Sequence, residues 1–389
     1  MTAPTAARGA GARVALILWA GGAGLFGARA AHAQDAAPAS RPWYEEVAVN
    51  GVVSASYSYN INRPDSRLNG FRVFDFDDNS FKLDVIELVI QHAVAKPRDS
   101  GFRIDLEAGG SIPRVSAASG LFRDPVTGQS QDFDLQQAFA SYIAPVGSGL
   151  RLDAGKFVTH FGAEVIEGYD GWNENATRSL LFGYAIPFTH TGLRASYGFG
   201  PKIAATAMLV NGWDDATDNN RAKSVGAQLA WTPTGPFALY LNGMTGAERA
   251  GNDSDLRSLL DVFATLGISP RVKAGVNFDY GQEQGLVPRP PQPPGTATWS
   301  GIAGYLRFTA TNRVALVVRG EGFHDRDGVR TGTRQTLTEV TLTPEFRVTP
   351  RFVLRGDLRT DWSDRQVFSD GSRPVDHQTT VLLNVLTWF

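Results

Sequence analysis

The stretch "TPRFVLRGDLRTDW", residues 349–362, sorts its side chains into two kinds by alternate position. One set is almost wholly charged and consists of Arg351, Val353, Arg355, Asp357, Arg359 and Asp361. The other set is almost wholly apolar and consists of Phe352, Leu354, Gly356, Leu358, Thr360 and Trp362. Successive side chains of a strand point to opposite faces. A soluble sandwich would bury the apolar face, whereas a membrane barrel would turn it toward lipid. The rest of the chain must decide between them.

The first 33 residues have the pattern of a secretory signal peptide. Arg8 and Arg13 give a positive start, an apolar run follows at 14–28, and "AHA" at 31–33 is a small-x-small cleavage signal. We therefore expect residues 1–33 to be removed on export. The alternative is a single membrane anchor, against which the glycine-rich composition and the cleavage signal argue.

The mature chain is mildly acidic and contains no cysteine. The full sequence has a formal net charge of −2, and removal of the three arginines Arg8, Arg13 and Arg29 takes it to −5. This charge gives no indication of nucleic-acid binding. The lack of cysteine excludes a disulfide framework and a Cys-based metal site. Zinc and phosphate-binding motifs are also missing from the sequence, so we predict no cofactor, no metal and no catalytic residues.

Residues 47–389 contain sixteen segments with strand character, most of them nine to thirteen residues long. A tilted strand needs about 9–11 residues to cross a bilayer. The connections alternate between short turns, such as "TPTGP" at 232–236, and long loops, such as 161–188. Outer-membrane barrels show the same alternation, with short periplasmic turns and long extracellular loops. The sequence therefore predicts an all-β, transmembrane antiparallel β-barrel of about 16 strands over 47–389, with residues 34–46 as a periplasmic lead-in.

Four stretches resemble the β-barrel porin-2 family of OmpL-like outer-membrane porins. They are residues 132–167, 173–197 and 209–233, which include "NGWDDATDNN", and the last strand, "HQTTVLLNVLTWF". The resemblance is clearest over about residues 130–235. It implies an outer-membrane barrel with pore activity, and the family carries no catalytic set to transfer. We expect a passive diffusion channel for small hydrophilic solutes or ions.

The chain ends on an amphipathic strand whose last residue is Phe389. A terminal aromatic residue suits the aromatic girdle at the membrane interface. The resemblance to outer-membrane barrels further implies that Phe389 is the signal recognised by the barrel assembly machinery.

The third long loop, residues 161–188, is the longest connection and resembles in position the loop that narrows sixteen-stranded general porins. Its charged candidates for a constriction are Glu164, Glu167, Asp170 and Arg178. Irregular backbone at membrane depth is acceptable only where it lines a wet cavity. An inward constriction and a lid outside the mouth both remain open.

Charged residues on the strands would complete such a constriction. The candidates on the wall are Arg307, Arg319, Arg355, Arg359, Asp105 and Glu107. Arginines and carboxylates on opposite sides would produce a transverse field that selects solutes by charge. The alternative is a hydrated wall of paired charges without a selective role, and the mixture of signs predicts no strong preference.

Two other functional classes stay open. His160 and His190 flank the third long loop, with Ser179 and Ser196 nearby, so an outer-membrane enzyme of the lipid hydrolase type is one alternative. A structural or adhesive barrel with a closed lumen is the other. As partners we expect outer-membrane lipid and lipopolysaccharide, and a homotrimer is possible for a porin of this size.

Overall fold

The computed structural model describes residues 43–389 except 120, 123, 125, 126, 128 and 291. The predicted signal peptide and residues 34–42 of the predicted lead-in lie outside the described residues. A 3₁₀ turn at Trp43–Glu46 precedes the first strand.

Sixteen antiparallel strands form a closed barrel. They are β1 Ala48–Asn60, β2 Ser80–His92, β3 Ser100–Ala108, β4 Phe133–Ala144, β5 Leu150–Val158, β6 Thr189–Gly198, β7 Ile203–Val210, β8 Ser224–Thr234, β9 Phe237–Ala247, β10 Leu256–Ser269, β11 Val272–Arg289, β12 Gln292–Thr309, β13 Val314–Asp325, β14 Gln335–Thr349, β15 Phe352–Ser363 and β16 His377–Trp388. Pairing between β1 and β16, from Val52↔Trp388 to Asn60↔Thr380, closes the barrel. Closure leaves no sheet edge unpaired. The predicted fold and strand number are confirmed.

The burial of the side chains of β15 shows which of its two faces lies inside the barrel. Arg355, Asp357 and Arg359 are buried, whereas Leu354 and Leu358 on the opposite face are exposed. The final strand likewise turns Asn384 inward and Leu383 outward, although its inward face also carries the buried Leu382 and Leu386. The charged face therefore lies inside the barrel and the apolar face lies outside, as a lipid-facing barrel requires.

Short turns and long loops occupy opposite ends of the barrel, as the parity of the connections predicts. We call these the short-turn end and the long-loop end. The connection between β10 and β11, for example, spans 270–271, whereas the connection between β5 and β6 spans 159–188.

One predicted loop is wrong. We expect residues 282–297, which include "PRPPQPPG", to form a loop, but β11 and β12 continue through most of this range and pair as far as Arg289↔Gln292. The register shifts after Glu283, and Gly285 has a φ of 74°, which marks an irregularity in the ladder. Proline is tolerated where the ladder is irregular, because its missing N–H is not needed there.

The long loops contain little regular structure. An α-helix spans Ile112–Ser119, a π-turn spans Leu181–Ala185, and a small hairpin pairs Phe368–Asp370 with Arg373–Val375. None of the helices in the described ranges combines the length and the hydropathy of a membrane-spanning helix.

An apolar cluster fills part of the lumen near the long-loop end. It joins side chains of the long loops to inward-facing side chains of the strands, and its aromatic members include Phe74, Phe182, Phe188, Trp213, Trp299, Phe323 and Phe368. The ring of Phe182 lies 5.4 Å from that of Phe188 and 5.9 Å from that of Phe74. The interior of the barrel is therefore not uniformly polar.

Candidate pore and its crossing loop

The third long loop (161–188) enters the barrel and binds side chains that point inward from β13 and β15. The guanidinium of Arg319 donates to Glu164 at 2.9 Å and to the backbone oxygen of Thr177 at 2.7 Å. The guanidinium of Arg355 donates to Glu167 at 2.8 Å. These contacts place the loop within the lumen and not as a lid outside the mouth.

Backbone groups of the loop also bind carboxylates of this wall. The N–H of Thr177 donates to Asp357 at 2.7 Å. The N–H groups of Leu180 and Leu181 donate to Glu321 at 2.5 and 3.1 Å. A carboxylate satisfies the first N–H groups of a helical turn, which otherwise lack partners. We call this set of contacts with β13 and β15 the anchor of the loop.

A second part of the barrel wall, at β2 and β3, holds the tip of the loop. Residues Gly168 and Gly171 pair across a tight turn. The N–H of Tyr169 donates to Glu87 on β2 at 2.8 Å, and Asp170 accepts from Arg103 on β3 at 2.6 Å. The loop therefore leaves the wall between β5 and β6, reaches the opposite wall at β13–β15, and also contacts the wall at β2–β3.

Beyond the tip, the loop runs to the short-turn end. The ring of Trp172 lies 4.4 Å from the ring of Trp388, the penultimate residue. Glu174 accepts a hydrogen bond from Arg307, which also donates to Glu345 at 2.6 Å.

The structure brings six of the predicted residues into one buried network. Its members are Glu164, Glu167, Arg178, Arg319, Arg355 and Arg359. Arg178 approaches Glu167 to 3.5 Å, and its backbone oxygen accepts from Arg359. Arg359 also forms an ion pair with Asp361 at 2.7 Å.

The other predicted residues lie apart from this network. Asp105 binds Arg103 at 2.8 Å, next to the tip. Glu107 is buried on β3 and accepts from Gln136 at 2.5 Å. Phe389 lies at the short-turn end, where its N–H donates to the backbone oxygen of Gly51 at 3.0 Å, and its side chain is exposed.

Several residues of the network are absent from the sequence-based set. Glu339 on β14 binds Arg319 at 2.7 Å, and Asn277 on β11 accepts from the N–H of Ala163 at 2.9 Å. Both occupy alternate positions of their strands at which side chains point into the barrel. This alternation is the signal that could have identified them. Arg72, which lies in the first long loop, binds Asp361 at a distance of 2.5 Å. A loop has no strand periodicity from which the direction of this side chain could be predicted.

Burial and charge oppose each other at Glu167. Burial by itself would raise the pKa of this carboxyl, but the charges of Arg178 and Arg355 and a hydrogen bond from Arg355 lower it to about 2. Glu167 therefore stays ionised at neutral pH, and its charge is matched by two arginines within the lumen.

Two cavities remain beside the loop. The β2–β8 cavity has a volume of about 330 Å³ and lies between the loop and strands β2 to β8. The β9–β13 cavity has a volume of about 500 Å³, and its lining includes Lys273 and Val317 together with the turn 232–236. The loop therefore divides the lumen without filling it.

Two serines and a histidine near the loop have hydrogen-bond partners other than one another among the described residues. Ser196 shares a hydrogen bond with Thr206 at 2.9 Å, and Ser179 accepts from the N–H of Phe182 at 3.0 Å. His190 binds Thr159 and the backbone oxygen of Gly212, both at 3.1 Å.

Comparisons with known proteins agree with this architecture. Similar solved structures include an anion-selective porin from Comamonas acidovorans (TM-score 0.58, 11% identity, covering 88% of this chain and 99% of that one). OprB of Pseudomonas putida has a TM-score of 0.58 at 11% identity, with 89% and 95% of the two chains covered. The outer membrane channel DcaP of Acinetobacter baumannii has a TM-score of 0.57 at 11% identity, with 88% and 97% covered. At these identities the likeness establishes the fold.

No curated protein matches the chain in sequence. A family model does, over residues 46–389, and its description is "Putative beta-barrel porin-2, OmpL-like". The match covers the whole barrel and confirms the resemblance drawn from the four stretches. The chain therefore belongs to the β-barrel porin-2 family of OmpL-like porins and is an outer-membrane porin.

Proposed function

We propose that this porin passes small hydrophilic solutes or ions by passive diffusion around the third long loop, which limits their size. The observation that carries the proposal is the attachment of the loop to two separate parts of the wall, through Glu164 and Glu167 at β13–β15 and through Tyr169 and Asp170 at β2–β3. Solutes then travel through the space that the loop leaves free. The short-turn end would face the periplasm and the long-loop end the exterior.

Electrostatic filtering would accompany this size limit. The wall at β13–β15 carries Arg319, Arg355 and Arg359 among carboxylates such as Glu339 and Asp357, and the wall at β2–β3 carries Glu87, Asp105 and Glu107 beside Arg103. Charges of both signs on the wall of a lumen orient dipolar solutes. Most of these groups are paired with protein groups, so we expect a mild preference for one sign of charge.

We also propose that the protein acts without catalysis. The bonding of Ser179 and Ser196 to groups other than histidine supports this proposal. An enzyme of the lipid hydrolase type would need a nucleophile with a base within hydrogen-bond reach.

The proposal extends to export and assembly. A signal peptide over 1–33 would direct the chain to the periplasm. The exposed ring of Phe389 at the short-turn end suits recognition by the barrel assembly machinery. The exposed apolar faces would contact outer-membrane lipid, lipopolysaccharide and, in a homotrimer, further copies of the chain.

Planar bilayer recording tests the channel function. Purified protein should insert in discrete steps with an ohmic current. An electrically silent protein that hydrolyses lipid would favour the enzyme, and a silent protein without hydrolysis would favour a closed barrel. Each of these outcomes would overturn the diffusion channel.

A further inference from the structure

The β2–β8 cavity has the size of a binding site for one small solute. Its volume of about 330 Å³ falls within the range of ligand pockets, about 300–1,000 Å³. The loop forms one side of the cavity through Val165 and Ile166, and the inward faces of the strands form the other. Any solute that takes this side of the lumen must therefore contact its lining.

The charged groups of the lining cancel one another. Three arginines and three carboxylates line the cavity, namely Arg103, Arg151, Arg194, Glu87, Glu164 and Asp170. Arg103 is bound to Asp105 at 2.8 Å and to Asp170 at 2.6 Å. Arg151 and Arg194 are bound to the same Asp153 at 2.9 and 2.8 Å. Each guanidinium already has a carboxylate partner, although Arg151 and Arg194 share theirs, so an anionic solute would have to compete with Asp105, Asp153 or Asp170 for these arginines.

Neutral hydrogen-bonding groups supply the remaining polarity. They are Gln91, Gln136, Gln137, Ser141, Thr159, His160, Ser196, Thr206 and Gln228. They come from residues 159–160, just before the third long loop, and from strands β2, β4, β6, β7 and β8. Amides, hydroxyls and an imidazole both donate and accept, which is the combination that hydroxyl groups of a solute require.

His160 is the least satisfied group of this lining. Neither ring nitrogen has a hydrogen-bond partner among the described residues, and both nitrogens have almost no accessible surface, so the ring must turn toward the cavity before it can bind a solute. Its ring stacks on Phe161 at 4.7 Å. Burial, His190 and Arg194 lower the pKa of His160 to about 3, so the ring is neutral and offers one donor and one acceptor. Buried polar groups in native proteins normally have partners.

Aromatic rings close one end of the cavity. Phe139, Phe182 and Phe188 lie in the lining and belong to the apolar cluster near the long-loop end. A solute seated there would meet apolar surface at one end and neutral polar groups at its sides, which is the usual composition of a small-molecule site.

We infer that the β2–β8 cavity is a binding site for an uncharged, polyhydroxylated solute of about the size of a monosaccharide. The inference rests on the proposed channel function and names the class of solute that the channel favours. A charged solute of the same size would have to compete with a group that is already bound to the charged residue it meets, such as Asp153 on Arg194 or the N–H of Tyr169 on Glu87, and this is unfavourable.

Conductance block in planar bilayers tests this inference. D-glucose, gluconate and glucosamine have similar sizes and differ in charge. Glucose should reduce the single-channel current in a saturable manner, and the two charged compounds should need at least about tenfold higher concentrations for the same block, equivalent to about 1.4 kcal/mol. If gluconate or glucosamine blocks as well as glucose, or if glucose does not block, the inference is wrong. This comparison uses the natural protein, and a protein that forms no channel at all would instead overturn the proposed function.

Variants locate the site. His160→Ala combined with Gln228→Leu should raise the half-blocking concentration of glucose about tenfold, because two hydrogen bonds to the solute are lost. Thr206→Val, on the strand wall, provides a second test with a smaller expected change. The matched control is His324→Ala, because His324 is exposed near the long-loop end and does not line the cavity. An unchanged glucose titration in folded variants would contradict the assignment.

Discussion

The two walls hold the third long loop in different ways. At the anchor, the side chains of Arg319 and Arg355 are 0% exposed, and Glu164 and Glu167 are 2% and 5% exposed. At the tip, the Arg103 side chain is 17% exposed and that of Asp170 is 46% exposed. The anchor is therefore a dry charge network, and the tip is a hydrated ion pair.

The difference matters because water weakens charge interactions. A buried ion pair is costly to form, but the loss of one partner leaves an uncompensated charge and costs several kcal/mol. An exposed pair contributes little, since solvent screens it. We expect the anchor to fix the path of the loop across the lumen and the tip to adjust to passing solutes.

Arg319→Ala should break the anchor and have the largest effect. It leaves Glu164 and Glu339 buried without their shared cation, at a cost of about 3–5 kcal/mol. We expect a lower urea midpoint for the folded barrel and a larger, noisier single-channel current as the loop loosens.

Arg313→Ala is the matched control for this substitution. Arg313 lies in the turn between β12 and β13 with its side chain exposed, so its removal should change neither quantity. If Arg319→Ala behaves like the control, the loop is held by other contacts.

Acid should weaken the anchor through Glu167. Its pKa in the folded protein is about 2, below the ordinary value of 4.5. A carboxyl with a lowered pKa stabilises the fold above its unfolded pKa, and this contribution is lost as the pH falls through the folded value. We expect a loss of about 3 kcal/mol between about pH 5 and pH 2.

The pH dependence of the urea midpoint measures this loss. Glu167→Gln removes the titrating group, so the variant should be less stable at pH 7 and should converge with the natural protein as the pH approaches 2. A constant difference between the two proteins across this range would show that Glu167 does not titrate as expected.

Asp170→Asn should have the smallest effect, because it changes only the tip. The pair with Arg103 is partly exposed, and Arg103 keeps Asp105 as a partner. We expect the urea midpoint to change by less than the equivalent of about 1 kcal/mol. A loss as large as that of Arg319→Ala would mean that both walls hold the loop equally.

Sequence reasoning located the strands well and the long loops poorly. The alternation in β15 predicted which face carries charge, because the strand period of two holds over its whole length. It failed at residues 282–297, where prolines indicate a loop but β11 and β12 continue beyond the membrane-sized length. Composition cannot reveal that two neighbouring strands keep pairing through an irregular ladder.

The candidate site was predicted only in part. Arg319, Arg355 and Arg359 were found because their strands fix their direction. Their partners on the loop, such as Glu164 and Glu167, could be chosen only as charged residues of a long segment, and the pairing between them was not predictable. Phe182 and Phe188 were not recognised as members of an apolar cluster, because loops have no period that assigns a face.

The order of residues alone was enough for the barrel, its strand number, and the choice of which face meets lipid. These properties follow from local periodicity and from the alternation of short and long connections, which any reader of the chain can count. The path of the third long loop, the pairing of its carboxylates and the shape of the remaining cavities depended on the folded molecule. They are settled by contacts between residues more than a hundred positions apart, such as Glu164 with Arg319, and only closure of the barrel brings these residues together.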